Sequence, residues 1–297
     1  MSASYRLRYR VGKVVGETLK HLYLIIVSSF GLFPFIWTLS SSLKDQQELY
    51  TTLPSLLPKK ITLINYQYVL AGVQGVGKAG AGQLLLLYRN SAIVAITSTL
   101  LNVLIVSLAA YAFARLRFRG RDAIFYFFIV LMFLPAGGTL MAQYELLKRL
   151  NLLDSLLGLI CLYTTGGSVG LFLMRQIFLG IPSELEDAAR VDGASNLRIA
   201  FQIMFPLATS GMVMVAIMGF IANWGEYLVA KTMIMSADKM TLPPGVQSII
   251  FVTPGVGRVA SYGVKATSIA LMVLPVILIF IFLQRWFIRG AVEGLKL

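Results

Sequence analysis

The chain has 297 residues, of which 57% are apolar and only 13% charged, and its mean hydropathy is +0.78. A soluble globule carries about 25% charged residues, and disordered chains are poor in apolar ones, so both classes are excluded and an integral membrane protein is indicated. The net charge of +13 then reads as anchoring against anionic lipid head groups rather than as a nucleic-acid surface.

Residues 1–21 hold Arg6, Arg8, Arg10, Lys13 and Lys20 ahead of a long apolar run, which reads as a basic tail before a retained signal anchor. A helix needs about 20 mostly apolar residues to cross the hydrocarbon. Six stretches qualify: about 22–43, 93–114, 123–141, 156–174, 205–228 and 268–284. Barrel strands would alternate polar and apolar over about ten residues; runs such as Ile93–Ala114 do not. The expected fold is therefore all-α: a polytopic membrane protein with six transmembrane helices over residues 22–297.

Basic residues set the orientation. With the N-terminus inside, the inner segments hold 15 Lys/Arg in about 72 residues and the outer segments hold 11 in about 102. The loop Arg115–Arg121, with four arginines, is the clearest marker. Both termini are expected on the cytoplasmic side.

Between the first two spans lies a glycine-rich stretch, 71–82, expected to be flexible and water-exposed. Within it Gly72–Lys78 fits the spacing of a phosphate loop, but Ala79 stands where a Ser or Thr must hold Mg²⁺. Nucleotide binding here is set aside. Cys161 is the only cysteine and His21 the only histidine, so this chain can build neither an intramolecular disulfide nor a Cys/His metal cluster.

The loop between spans four and five, about 181–206, is the most informative. Ser183 and Glu186 have the spacing of a capping box, and Glu184, Glu186 and Asp187 suit the positive end of a helix dipole. Gly193 is a natural stop, and Ser195 can cap a second helix with Leu197, Ala200, Phe201 and Met204 on one face. Pro206 then opens span five. The pattern predicts two short helices with a sharp turn, lying against the membrane. Alone, it equally fits an ordinary amphipathic interfacial loop.

The stretch ELEDAARVDGAS, followed by Phe201, Ile203 and Pro206, resembles the EAA loop of ABC-importer permeases. Glu186 matches the glutamate of the fuller E-x-A-A form, and Ala188-Ala189 match the alanines. Asp192-Gly193-Ala194 match the Asp-Gly-Ala, and Ile203 with Pro206 the ending; Asp187 departs from the usual Glu or Ala. The wider chain resembles the carbohydrate branch of that family, of the maltose-importer (MalG) type, through residues 90–121, the Leu134-Pro135 region and 284–290. The resemblance implies a non-enzymatic permease subunit in a bacterial cytoplasmic (inner) membrane that imports a sugar or oligosaccharide. It also implies a second permease chain, two ATPase subunits that bind the ATP and Mg²⁺, and an extracytoplasmic solute-binding protein, with no cofactor in this chain. Glu186, Asp187, Ala188, Ala189, Asp192, Gly193 and Ala194 would form the coupling contact with the ATPase.

Polar residues inside spans are costly and raise functional hypotheses. Asn223, Trp224, Glu226 and Tyr227 are the candidates for cargo contact, set against an interfacial anchoring role. Asn102 and Gln143 read as interhelical hydrogen bonds, Gly166 and Gly170 as close helix packing, and Pro34, Pro135 and Pro275 as kinks. The outer loop 229–267, with Pro243-Pro244 and Pro254-Gly255, resembles the loop that reaches toward the binding protein. The basic excess on the outer side permits an anionic cargo, such as a uronate oligosaccharide or glycerol phosphate. The rival class is an ion-coupled secondary transporter, for which Glu226 is the acidic candidate; motifs of membrane enzymes are absent.

Overall fold

The structure, a computed structural model, describes residues 3–51, 55–71, 81–133, 136–251 and 262–295. Among them there are helices and no strands. The phosphate-loop-like Gly72–Lys78, Leu134-Pro135 and Pro254-Gly255 lie outside the described residues, as do the side chains of the 286–290 stretch.

The chain forms two compact units. The first, residues 1–75 and 253–271, contains α1 (Ala3–Ser42), α2 (Gln46–Thr51), α3 (Ile64–Ala71) and the first residues of the long helix Tyr262–Leu295. α1 runs unbroken from Ala3 through Pro34 to Ser42, so the basic residues 3–21 are helical and continuous with the apolar run. From Val14 to Ser42 α1 has an apolar window with none of it buried, and Phe30 is 83% exposed. Such a surface is stable only in hydrocarbon, where a helix satisfies its own backbone groups. A small polar knot closes this unit. The Asn65 amide donates to the carbonyls of Ser42 (3.0 Å) and Lys44 (2.7 Å), and the Lys44 ammonium, itself buried, donates to the Ser55 carbonyl. Gly263 is required here, since a Cβ would sit 2.5 Å from the Asn65 amide nitrogen.

The second unit, residues 76–252 and 272–297, is organised on α4 (Ala81–Arg115). Packed on it are α7 (Leu156–Thr165), α8 (Ser168–Gly180) and α12 (Thr209–Gly225). Small residues bring the helices close, as membrane helices require. Gly170 faces Val215 and Val106, and Gly167 faces Val106 and Asn102. Asn102 donates to the Thr164 carbonyl (2.7 Å) across helices, as expected. Gly166 has no such close neighbour, and half-buried Gln143 donates to Thr139 one turn away on its own segment (3.2 Å) rather than across helices.

Three helices are long and apolar enough to cross a membrane: Val14–Ser42, Leu84–Arg115 and Tyr262–Arg285. Two helix pairs reach the same length and hydropathy only when taken together, and each is bent at a short break: α7 with α8 (46°) and Asn196–Leu207 with α12 (80°). The sixth expectation, 123–141, is met differently. Its helix α5 (Arg121–Leu131) has 11 residues, about 16 Å at 1.5 Å per residue and short of the roughly 30 Å hydrocarbon. Beyond residues 134–135, Ala136–Thr139 is a 3₁₀ turn leading into the amphipathic α6 (Leu140–Arg149). The continuous apolar composition of 123–141 concealed this break.

The bend before α12 has a local cause. Ala200–Met204 is a π turn, in which the Phe205 N–H reaches back to the Ala200 carbonyl. Pro206 follows without an N–H to continue the ladder, and the helix breaks at Ala208. Pro206 stands in the first turn of α11 (Phe205–Leu207), as expected of a proline near a helix start, and α12 begins only after the break at Ala208.

Candidate functional site

The segment 181–206 folds as two short helices with a sharp turn. They are α9 (Glu184–Val191) and α10 (Asn196–Ile199), the latter continuing through the π turn to α11 (Phe205–Leu207). The turn is a Schellman motif. The Ala194 N–H donates to the Ala189 carbonyl (2.9 Å) and the Gly193 N–H to the Arg190 carbonyl (3.0 Å). Gly193 has φ +80°, the left-handed region that a side chain disfavours, and no atom lies within 4 Å of where its Cβ would be. Ser195 caps α10 by accepting from the Arg198 N–H (3.3 Å).

The N-terminal cap differs from expectation. Ser183 makes no side-chain capping bond; only its carbonyl accepts, from the Glu186 and Asp187 N–H groups. Glu186 is turned inward instead, 5% exposed, and its Oε1 lies 3.1 Å from the Arg115 Nε at the end of α4. The Arg190 guanidinium approaches the other carboxylate oxygen at 3.7 Å. Arg115 also donates to the carbonyls of Phe178 and Ile181, at the end of α8. A buried carboxylate prefers a guanidinium to one backbone N–H, so the tertiary partner overrides the local motif.

The seven residues expected at the coupling contact thus divide between two faces of the loop. Glu186 and Ala189 face inward, Ala189 packing into the core with Ile199, Ala200, Met204 and Phe178. Ala194 is half-buried against the same core. Asp187, Ala188, Asp192 and Gly193 are exposed, together with Val191 at 88%. The outward carboxylate next to the alanines is therefore Asp187, not Glu186. Sequence reasoning missed Arg115; its signal, an arginine ending a span, had been absorbed into the topological charge count.

The second candidate cluster disperses. The Asn223 amide donates to Ser98 (3.0 Å) and Thr99 (3.3 Å) on α4. Trp224 is buried, stacks on Phe220 with ring centroids 5.5 Å apart, and donates its indole N–H to the Met272 carbonyl (3.0 Å). Glu226 accepts from the Tyr163 hydroxyl (2.7 Å) and from the N–H groups of Val229 (2.8 Å) and Ala230 (2.9 Å), so it caps α13 (Leu228–Met233). Only Tyr227 is exposed. Asn223, Trp224 and Glu226 fasten helices to one another.

Part of the 229–267 segment is likewise pinned. Asp154, in the turn before α7, accepts from the N–H groups of Met235 (2.9 Å) and Ser236 (2.8 Å), the Ser236 hydroxyl and the Lys239 ammonium (3.2 Å). The Ser236 hydroxyl and N–H, then Met235 and Lys239, hold its carboxyl well below the usual carboxylate range. Asn90 and Ser91, near the start of α4, bind the same loop through Asp238, Met240 and Leu242. Among the described residues no group of three His, Cys, Asp or Glu side chains could hold a metal ion.

Helices throughout the described residues, lipid-type apolar faces and a compact two-helix loop define a helical membrane protein. Comparison with known proteins sharpens this. Residues 102–292 match the family described as the binding-protein-dependent transport system inner membrane component, and the chain belongs to that family. It is a membrane permease subunit, not an enzyme. The galactooligosaccharides transport system permease protein GanQ of Bacillus subtilis (strain 168) is 31% identical over 287 residues, covering 96% of this chain and 97% of GanQ. The sn-glycerol-3-phosphate transport system permease protein UgpE of Escherichia coli O6:H1 is 30% identical over 276 residues, covering 93% and 96%. The crystal structure of a bacterial ABC transporter involved in the import of the acidic polysaccharide alginate contains a chain of the same fold. Its TM-score is 0.75 at 23% identity, with 97% of this chain and 99% of that chain covered.

Proposed function

We propose that this permease carries a sugar, oligosaccharide or sugar-like phosphoester into the cell, and that α9 and α10 couple the movement to ATP hydrolysis in partner subunits. The relatives' cargoes, galactooligosaccharides, glycerol phosphate and alginate, support this cargo class. The observation that carries the coupling role is the two-sidedness of the 181–206 loop. Its inner face is part of the helix core, while Asp187, Ala188, Val191, Asp192 and Gly193 present a short charged and apolar edge outward. A loop rigidly joined to the spans and exposed on its far side transmits force from a docked partner. The working assembly pairs this chain with a second permease, two ATPase subunits and a solute-binding protein. Both termini, residues 1–21 included, face the cytoplasm, and ATP and Mg²⁺ bind the ATPase subunits alone.

Ion coupling through Glu226 is not favoured, because its carboxylate is already committed to three donors. Cargo contact by this chain falls to Tyr227 and to the exposed flank of Asn223, with the partner permease supplying the rest. The test is purification in mild detergent from the native membrane beside Gly193→Pro, with uptake measured in reconstituted vesicles. Wild type brings an ATPase subunit and takes up sugar only with ATP, while Gly193→Pro loses both. Wild type purifying alone even after crosslinking, or uptake driven by an ion gradient without ATP, refutes the reading.

A further inference from the structure

Resting on the coupling role just proposed, we propose that Arg115 and Glu186 are positioning residues: their buried ion pair fixes the angle of α9 on the end of α4, so that the loop moves with that span as one lever. Three observations carry this. Arg115 is the last residue of α4, so its side chain reports the position of that helix end. Its guanidinium meets acceptors from two other segments at once, the Phe178 and Ile181 carbonyls at the end of α8 and the Glu186 carboxylate on α9. A planar fork of five donors does this where a lysine's point charge cannot. Both side chains are shielded, at 12% and 6% exposure, so water does not substitute for either partner.

The pair also sits where α9 has little else to hold it. The helix has eight residues and turns inward Glu186, Ala189 and little more. An alanine fills space but makes too small a contact to set an angle, whereas a buried carboxylate must stay beside a guanidinium that its two carbonyl acceptors already hold in place. The geometry is an ion contact rather than a linear hydrogen bond, and neither Arg115 Nε nor Glu186 Oε1 makes a hydrogen bond. Tyr111, one turn earlier on α4, presents a buried hydroxyl that likewise makes none. Arg190 also reaches Glu186, at 3.7 Å, but it lies on α9 itself and so cannot tie that helix to α4.

The test separates positioning from contact. In the assembled complex with Cys161→Ala, nitroxide labels are placed at Leu185→Cys on α9, away from the docking edge, and Ile105→Cys on α4, both exposed in this chain, and their separation is measured by pulsed electron resonance. The pair is then perturbed by Glu186→Gln, which keeps size, and separately by Arg115→Lys, which keeps charge; Glu186→Asp serves if either fails to fold. Wild type should give one narrow distance. Each variant should broaden it, retain the ATPase subunit on purification, and lower cargo moved per ATP hydrolysed roughly tenfold, within the usual range for loss of a coupling interaction. An unchanged narrow distance in the variants overturns the proposal. So does loss of the ATPase subunit with the distance unchanged, since that makes Glu186 a contact residue. Failure of wild type itself to bring down an ATPase subunit would instead overturn the coupling role on which the proposal rests.

Discussion

Gly193 offers the sharpest test of why the coupling loop has its shape. Its φ of +80° costs an L-residue roughly 1–2 kcal/mol, less for asparagine, whose short polar side chain tolerates that region. No atom lies within 4 Å of its missing Cβ, so within this chain the cost is backbone strain alone and does not grow with side-chain volume. A strain of 1–2 kcal/mol shifts the turn by a factor of roughly 5–30. Gly193→Ala should therefore lower ATP-dependent uptake by up to that factor at unchanged membrane levels, and Gly193→Asn should lower it much less. Gly193→Pro should abolish it, because proline cannot reach positive φ and lacks the N–H that meets the Arg190 carbonyl. Uptake by vesicles normalised to permease content gives the ranking. If asparagine is as harmful as alanine, or harm tracks side-chain volume, the glycine serves close approach of the partner and the backbone argument is refuted.

Three further predictions concern the scaffold. Asp154 has a folded pKa depressed below its unfolded value of about 3.9, so its stabilisation is fully present above that value. It is lost as pH falls from there through the folded pKa. Thermal unfolding in detergent between about pH 3 and 7 should show this loss below about pH 4; Asp154→Asn should be less stable at pH 7 and lack that component, and equal profiles would contradict it. A Cβ on Gly158 would collide with the backbone carbonyl of Leu152, which no side-chain rotation relieves. Gly158→Ala should therefore destabilise by about 1–3 kcal/mol, and an unchanged melting temperature would contradict the packing. Glu226→Gln weakens the cap on α13, at a cost of about 1 kcal/mol, and should lower thermal stability while leaving the half-saturating cargo concentration unchanged; a large shift in that concentration would return Glu226 to the transport path.

The helical class, most spans and the two-helix loop were legible because each rests on local signals. Long apolar runs, a left-handed glycine followed by a capping serine, and a basic loop are all readable without knowing what packs where. Glu186 shows where such reading stops. Ser183 and Glu186 have capping-box spacing, but the glutamate's fate was decided by Arg115, far upstream and brought near only by the packing of α4 on α8. Glu226 repeats the point. An acid near a span's end suggested cargo or ion contact, yet the donors Tyr163, Val229 and Ala230 arrive from a neighbouring helix and from a turn invisible in hydropathy. The 80° bend at Ala208 was half legible, with Pro206 visible in the sequence and the π turn before it not.

The central claim, that the outward edge of α9 meets the ATPase, is tested most directly by photo-crosslinking in the native membrane. A photoreactive residue is placed in turn at Val191, 88% exposed, at Asp187, and at Ala189, 9% exposed. The account predicts adducts with an ATP-binding subunit from Val191 and Asp187 and none from Ala189. Adducts from none of the three, or from Ala189 alone, would contradict it.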